Sequence, residues 1–595
     1  MAYSLGVDRK HLPVPTAPLA AVLLVLVLAY HGVAECGFVW DDDDYVTSNP
    51  TLRTWAGLWS IWTEPRSLPQ YYPLVHTSFW LEWRLWGAHP LGYHLTNVAL
   101  HGAAAVILAR LLTRLAVPGA WAAALWFAAH PMHVESVAWV TERKNVLSLV
   151  CALAAANAYW RAREDVGLRP LLPALGWFLA ALASKTVTAT LPAALLVLVW
   201  WRDGRITRRD AAPLGAALGL GATAALGTAW LEAVHVGAAA MSDLHGAERI
   251  LVAGRAPWHY LGSLLWPFGH CFHYPRWQLD AAEIAQWAWP AATAATLAAA
   301  WALRNRLGRS PLAVLLLFGG TLVPVLGFVD VYPFRFSFVA DHFAYHASLP
   351  IVAGVAAAAT RLARRIAPKV AAAAACAVAV GLALASAALV PEYRDEATLW
   401  QATLTKHPQS TLALSNLAGR ALASGDVDAA ERLTERALQA DPANPESIAN
   451  LGVIAHHRRD LAAAERHYER ARALRPDFAT NLRNLGALRH EQGRSEEALA
   501  FVQRALELDP EYLDGLELEV TLLQTLARHR ECLAAAERLL LLRPEQLAVR
   551  LRAAEAALAV GETATAAHHA EAALRQAPML EQARKVLEAA KKSAK

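Results

Sequence analysis

Four consecutive aspartates, Asp41 to Asp44, follow the first long apolar stretch of this chain, in Trp40-Asp41-Asp42-Asp43-Asp44-Tyr45. Adjacent carboxylates repel one another and are tolerated when solvated, paired with cations or bound to a metal. Two readings follow: a solvated start to a loop, or a functional one, with a general base among the four or a metal and acceptor site that could include Asp43 and Asp44. Cations recur further along: Arg143 and Lys144 at the end of His133-Val134-Glu135-Ser136-Val137-Ala138-Trp139-Val140-Thr141-Glu142-Arg143-Lys144, then Lys185, Arg276 and Arg335. Gathered at one surface they suit a phosphate or pyrophosphate. Alternatively they pair with Glu135, Glu142, Asp330 and Asp341. His130, His133, His342 and His346 lie near the same segments. His130 and His133 are three apart, a metal spacing on one helical face, although helix-end histidines are commonly hydrogen-bonded. No HExxH, GxSxG, Walker or GxGxxG pattern stands in a fitting context.

The elements that must position these residues are apolar. Of 595 residues, 56% are hydrophobic and 18% charged, against about 25% charged in an average soluble domain. That excludes a disordered chain, a disulfide scaffold and an ordinary cytosolic enzyme. The net charge of +4 gives no argument for nucleic acid, and the five cysteines show no CxxC spacing. Residues 396–595 carry 54 charged side chains, whereas the 395 residues before them carry 52. Every tryptophan lies at or before Trp400. One half is membrane-like and the other soluble-like.

A transmembrane helix needs about 20 mostly apolar residues. Stretches with at most one charge at 12–35, 85–109, 115–134, 146–160, 170–184, 186–201, 211–231, 284–303, 310–329, 342–360 and 370–391 give eleven candidate spans, three of them short. The stretch 256–275, with two Pro-aromatic breaks, reads as interfacial or re-entrant. With the N-terminus cytoplasmic, every cytoplasmic connection is basic: Arg9, Lys10, Arg110, Arg114, Arg161, Arg163, Arg169, Arg202, Arg205, Arg208, Arg209, Arg304, Arg306, Arg309, Arg361, Arg364, Arg365 and Lys369. A cleaved signal peptide at the first stretch would break that parity. The acidic loop, 36–84, then faces outward, and so does everything after residue 395.

Prolines recur at Pro408, Pro442, Pro476, Pro510, Pro544 and Pro578, each step 34 residues. That is the period of a tetratricopeptide (TPR) helix pair. Gly452 and Gly486 share one slot with Ala418 and Ala554; Ala430, Ala464, Ala498 and Ala566 share another. Small residues are needed where paired helices approach closely, and proline ends the second helix of each pair. The reading is an all-α chain: a membrane bundle over 1–395, a connector at 396–408, five repeats over 409–578 and a capping helix at 579–595. Such an array engages a protein or peptide, or braces the membrane half.

The motifs together resemble one family. They are Phe38-Val39-Trp40-Asp41-Asp42, His130-Pro131-Met132-His133 through Glu142-Arg143-Lys144-Asn145, Ser184-Lys185, Leu265-Trp266-Pro267 and Val339-Ala340-Asp341-His342-Phe343. They look like the transmembrane-and-TPR O-mannosyltransferase-like family in its bacterial form, over nearly the whole chain. The resemblance implies a GT-C membrane glycosyltransferase. It would move a sugar, mannose being expected, from a polyprenyl-phosphate donor to a Ser or Thr hydroxyl of an acceptor protein on the non-cytoplasmic face. It places the catalytic carboxylate in the acidic loop (Asp41, Asp42), the donor phosphate near Arg143, Lys144, Lys185, Arg276 and Arg335, and supporting roles at Glu135, His133, Glu142, Asp341 and His342. It requires no metal. Two departures stand out: four aspartates replace the usual pair, and Ser263 stands where a lysine is expected before Leu-Leu-Trp-Pro.

Two other classes fit parts of the pattern. A membrane-anchored TPR scaffold needs one anchor, and eleven spans with charged outer loops exceed that. A surface-polysaccharide ligase or polymerase would use a sugar acceptor. A transporter lacks support, because the spans show no internal repeat. The Ala, Arg and Leu richness with four methionines points to a GC-rich bacterium, with the bundle in its inner membrane and the repeats periplasmic.

Overall fold

The structure, a computed structural model, describes residues 15–163, 165, 167–235, 244–329, 331–363 and 368–593. Arg9, Lys10, Asp330, Arg364 and Arg365 lie outside the described residues. Among the described residues all regular structure is helical. The chain divides into two units, Met1–His407 and Pro408–Lys595.

The first unit holds α1 (Thr16–Tyr30), α2 (Trp55–Thr63), α3 (Pro73–Trp86), α4 (Pro90–Arg114), α5 (Ala120–Ala129), α6 (Val134–Ala138), α7 (Arg143–Ala162), α8 (Leu172–Leu182), α9 (Leu191–Asp203), α10 (Arg208–His235), α11 (Gly246–Leu265), α12 (Ala288–Ala302), α13 (Arg304–Leu307), α14 (Ser310–Leu322), α15 (Ser348–Ala363), α16 (Pro368–Leu389) and α17 (Glu396–Lys406). Pro73 and Pro90 open α3 and α4 at the first turn, where the missing N–H costs nothing. Thr16–Glu35, Pro90–Arg114, Arg208–Leu231 and Lys369–Tyr393 are long and apolar enough to cross a bilayer unaided. The apolar helices Ala120–Ala129, Arg169–Leu182, Ser310–Val325 and Ser348–Ala363 are shorter.

Contacts sort the helix termini into two ends. At one end Arg202 of α9 donates to the Arg114 carbonyl of α4 (3.0 Å), and Trp201 Nε1 donates to Ser310 Oγ at the start of α14 (3.0 Å). Arginines crowd this end. At the other, Ser386 of α16 donates to the Ala129 carbonyl of α5 (2.7 Å), and the Gly37 N–H beyond α1 donates to the Arg394 carbonyl beyond α16 (2.8 Å). The acidic loop sits at this second end. α11 ties both its termini there: Arg249 donates to the Gly327 carbonyl beyond α14 (2.7 Å), and His130 Nε2 to the Leu264 carbonyl (3.0 Å). So α11 does not run from end to end. The element is a helix starting at 246, ten residues before the apolar stretch 256–275, with Pro257 inside it; the chain after Leu265 is non-helical as far as Glu283.

The stretch 115–134 departs most from a single span. α5 stops before His130 because the following Pro131 disfavours the helical conformation there. A 3₁₀ turn (Pro131–His133), the five-residue α6 and a second 3₁₀ turn (Val140–Glu142) then lead into α7. Everything from Ala123 to Val146 is buried. The segment expected as an outer loop is folded into the bundle instead, because its many polar groups find partners there.

The second unit is five antiparallel pairs and a final helix: α18 (Thr411–Ala423) with α19 (Val427–Ala440), α20 (Pro445–His457) with α21 (Leu461–Leu474), α22 (Ala479–Glu491) with α23 (Ser495–Leu508), α24 (Leu513–Thr525) with α25 (His529–Leu542), α26 (Leu547–Ala559) with α27 (Thr563–Gln576), then α28 (Glu581–Ser593). Side chains of Ser410, Asp426, Asn444 and Asp460 cap the helices they precede. A Cβ at Gly452 would lie 2.4 Å from the Tyr468 ring, and one at Gly486 2.7 Å from Val502, which is why that slot is small. First helices of successive pairs also pack on one another, so they line the inner side.

Candidate active site

The four aspartates separate by environment. Asp42 is fully buried. Its Oδ2 accepts the Val39 N–H (2.9 Å), and its Oδ1 accepts both the N–H (2.7 Å) and the hydroxyl (2.6 Å) of Thr141. Asp43 is exposed and accepts the Thr47 hydroxyl (2.6 Å); Asp44 is exposed. Asp41 is half-buried, and its carboxylate accepts no hydrogen bond from the described residues. Lys144, Asp44, Glu142 and His342 act on it electrostatically. Burial pushes the Asp41 carboxyl up to about 7, with Lys144 opposing and Asp44 and Glu142 adding. Burial also lifts Asp42 to about 7, against the hydrogen bonds from Thr141 and Val39.

Glu142 is the hub beside Asp41. Its Oε1 lies 3.1 Å from Lys144 Nζ and its Oε2 3.4 Å from Lys185 Nζ. Burial opposes its ionisation, but Lys144, Lys185 and His342 outweigh that and hold it well below the carboxylate range. Lys144 would be lowered by burial, yet Glu142 and Asp41 raise it. Lys185 is lowered to about 8, by burial first and by Lys144, with Glu142 opposing. Lys185 also donates to Asn145 Oδ1 (2.8 Å), and Asn145 Nδ2 donates to Ser136 Oγ (3.0 Å) and the His342 carbonyl (2.9 Å). Glu135 accepts the N–H and Nδ1–H of His342 (both 2.9 Å). Two ammonium groups therefore share one ionised carboxylate next to a carboxyl that titrates near neutrality, which suits base catalysis beside an anionic leaving group.

Other expected residues are engaged elsewhere. Arg143 is wholly buried. It binds Glu82 through both outer nitrogens (2.7 and 3.1 Å), donates to the Tyr93 carbonyl (2.9 Å) and Ser78 (3.2 Å), and contacts Asn97. Its donors are committed inside the protein, so it is not assigned to a donor phosphate. Arg276 lies over the Phe338 ring (4.9 Å) and Arg335 over Phe336 (5.2 Å), in a separate aromatic cluster. Asp341 accepts from His270 Nδ1 (2.8 Å) and the Tyr274 hydroxyl (2.9 Å). The His130–His133 pair does not form a metal site: His130 is held by the Leu264 carbonyl and the Met132 N–H, and His133 by the Phe127 carbonyl and Ser348. Among the described residues, no three His, Cys, Asp or Glu side chains converge as a metal cluster. Ser263 donates to the His259 carbonyl of its own helix.

An apolar cavity of about 840 Å³ runs between α4, α7, α9, α14 and α15. Its lining reaches from Thr188 and His346, beside the Lys185 end, to Arg361 at the arginine-rich end.

Tetratricopeptide-repeat family profiles match residues 392–445 and 445–511. Three proteins named protein O-mannosyl-transferase match the chain. Tmtc1 of Drosophila melanogaster is 34% identical over 29% of this chain and 22% of its own length. Tmtc3 of Drosophila melanogaster is 29% identical over 24% and 19%. TMTC3 of Mus musculus is 32% identical over 24% and 16%. The chain resembles the TMTC O-mannosyl-transferases. The matches span about a fifth of the relatives' length. Among solved structures, YrrB, titled a TPR protein with an unusual peptide-binding site, matches 32% of this chain and 99% of its own at 15% identity and a TM-score of 0.27. Pseudomonas aeruginosa pilF matches 31% and 87% at 23% identity and 0.28.

Beside the TMTC-like motifs, the structure brings in residues that motif reading passed over. Gln70 Oε1 accepts from both Tyr45 (2.8 Å) and Lys144 (3.3 Å). Lys144 also sits over the Tyr45 and Trp139 rings (5.4 and 5.8 Å). Trp400, fully buried, packs on Trp40 (4.8 Å between ring centroids). Gln70 and Trp400 carry no spacing signal, since both stand outside the motifs they meet.

Proposed function

We propose that this protein is an integral-membrane glycosyltransferase. It moves a sugar, mannose in our reading, from a polyprenyl-phosphate donor to a Ser or Thr hydroxyl of an acceptor polypeptide. The observation that carries this is Asp41: a carboxyl that accepts no hydrogen bond from the described residues, pushed up to about 7, beside Lys144 and the Glu142–Lys185 pair. The acceptor O–H gives its proton to Asp41 as the oxygen attacks the anomeric carbon with inversion. The bond from that carbon to the phosphate oxygen breaks, and Lys144 and Lys185 stabilise the charge left on polyprenyl phosphate. These two ammonium groups do the neutralising, so transfer persists in chelator. The 840 Å³ apolar cavity holds the start of the polyprenyl tail.

The arginine-rich end of the bundle is cytoplasmic by the positive-inside rule, with eleven crossings and the N-terminus on that side. The site end and the repeats then face outward, the periplasm in a bacterial inner membrane. The repeats engage the acceptor polypeptide. Asn416, Asn450 and Asn484, 34 residues apart on first helices of successive pairs and half-exposed, supply amide groups that match a peptide backbone.

The test is transfer from radiolabelled polyprenyl-phosphate mannose by purified full chain in lipid, with and without Asp41→Asn. Label on protein acceptor that disappears with Asp41→Asn supports the reading. Label on glycan alone points to a polysaccharide ligase. No transfer from a panel of lipid-linked sugars leaves the scaffold.

A further inference from the structure

Asp41 follows a residue in an unusual conformation. The Asp42 N–H donates to the Val39 carbonyl (3.1 Å), closing a turn with Trp40 and Asp41 at its centre. Trp40 has φ +54, whereas Asp41 has no positive φ. A positive φ at a central turn position normally takes glycine, asparagine or aspartate. A bulky aromatic residue there is strained and persists only when its surroundings hold it. The surroundings come from the far end of the unit. The Trp40 ring meets Trp400 edge-on at 4.8 Å and Phe272 at 6.4 Å, and Trp400 meets Phe272 at 5.4 Å. Phe272 also touches Trp139 (5.1 Å), whose ring lies below Lys144. Trp400 is fully buried on α17, and α17 is anchored by Lys406, which binds both oxygens of Glu392 (2.6 and 2.7 Å) and the His270 carbonyl (2.6 Å).

We propose that Trp400 is a positioning residue for Asp41: by packing on Trp40 it holds the left-handed turn that keeps the Asp41 carboxylate in its half-buried place beside Lys144. Three hundred and sixty residues separate the two tryptophans, so the posture of the acidic loop is completed by the last helix before the repeats. The inference rests on Asp41 being the base for its effect on turnover, but its geometric content does not. Removing the Trp400 ring leaves space against Trp40 that water or rearrangement fills. The turn then relaxes toward negative φ at Trp40, and Asp41 gains solvent. The charged groups facing Asp41 are Lys144, Asp44, Glu142, His342 and the neighbouring Asp42, so the labelling is read at Asp41 and Asp42 separately.

The experiment uses full chain in lipid nanodiscs with Trp400→Ala, Trp400→Phe and the double variant Trp40→Gly/Trp400→Ala. Two quantities are read: pH-dependent carbodiimide labelling of Asp41 by mass spectrometry, and transfer kinetics. In wild type, labelling of the protonated carboxyl is expected to have its midpoint near 7. Trp400→Ala is expected to lower that midpoint by at least one pH unit and kcat at least tenfold, with donor KM within twofold. Trp400→Phe recovers most of both. Glycine at position 40 removes the left-handed cost, so the double variant turns over faster than Trp400→Ala alone. An unchanged midpoint and kcat in Trp400→Ala overturns the proposal. If Trp400→Ala fails to fold, Trp400→Leu, which also lacks the ring, decides by the same midpoint. If wild type transfers no sugar, the functional reading fails while the labelling midpoint still decides the role of Trp400.

Discussion

Asp42 and Thr141 are joined twice, through the backbone N–H (2.7 Å) and the hydroxyl (2.6 Å) of Thr141 on one carboxylate oxygen. That link ties the acidic loop to the turn carrying Glu142, Arg143 and Lys144. It leaves Asp41, whose carboxylate accepts no hydrogen bond from the described residues, as the proposed base.

Asp41→Asn and Asp42→Asn should therefore differ in kind. Asp41→Asn abolishes transfer, more than a hundredfold, with folding intact. Asp42→Asn sets an amide donor against the Val39 N–H, and leaving a buried donor unmet costs about 1–3 kcal/mol. Its signature is a lowered melting temperature, read by thermal unfolding in detergent beside the transfer assay.

Activity should follow a narrow bell in pH. Asp41 must be ionised to accept a proton, so the rate falls below about 7. Lys185 must keep its charge, so the rate falls above about 8. Measuring kcat/KM from pH 5 to 10 checks both limbs, and Lys185→Met should remove the alkaline one while lowering the maximum.

The raised Asp41 also has a stability cost with a definite sign. A carboxyl whose folded pKa exceeds its unfolded value stabilises most when protonated, and that contribution is lost as pH rises from about 4 through about 7. Asp41→Asn should melt with wild type below about pH 4 and above it at pH 8. Equal melting at both values would contradict the burial of that charge.

Arg143 behaves as structure. Removing one partner of a buried ion pair costs about 3–5 kcal/mol, whereas replacing both with apolar residues costs far less. Arg143→Met should destabilise strongly, and Arg143→Met/Glu82→Leu should recover much of the loss in melting temperature. A donor-phosphate role would instead raise donor KM in the double variant with no such recovery.

In the repeats, Asn416→Ala, Asn450→Ala and Asn484→Ala together should weaken binding of an unstructured Ser/Thr-rich peptide to the full chain at least tenfold, measured by fluorescence anisotropy. Melting should fall only modestly, since the hydrogen bonds lost are those of half-exposed side chains, Asn416 to the Leu412 carbonyl and Asn450 to the Ser415 carbonyl. Gly452→Val should do the opposite, lowering melting through its clash with Tyr468.

What the sequence determined by itself is whatever rests on local regularity. The 34-residue proline period set out five helix pairs and a last helix, because each repeat folds from neighbours in sequence. The apolar stretches marked the bundle helices, since burial in lipid or core needs only composition and length. The cation and carboxylate motifs named Asp41, Glu142, Lys144 and Lys185, which the tertiary structure gathers. Tertiary structure alone decided their surroundings. Asp41 and Asp42 are adjacent and identical in type, yet Thr141 takes one and leaves the other. Arg143 and Lys144 are adjacent cations, yet Glu82, Asn97 and Tyr93 consume the first. Trp400 reaches Trp40 only because α17 belongs to the bundle rather than to a connector. Spacing encodes which side chains share a helix face. It carries no record of partners brought together by packing across hundreds of residues, and those partners set charge, solvation and posture at the site.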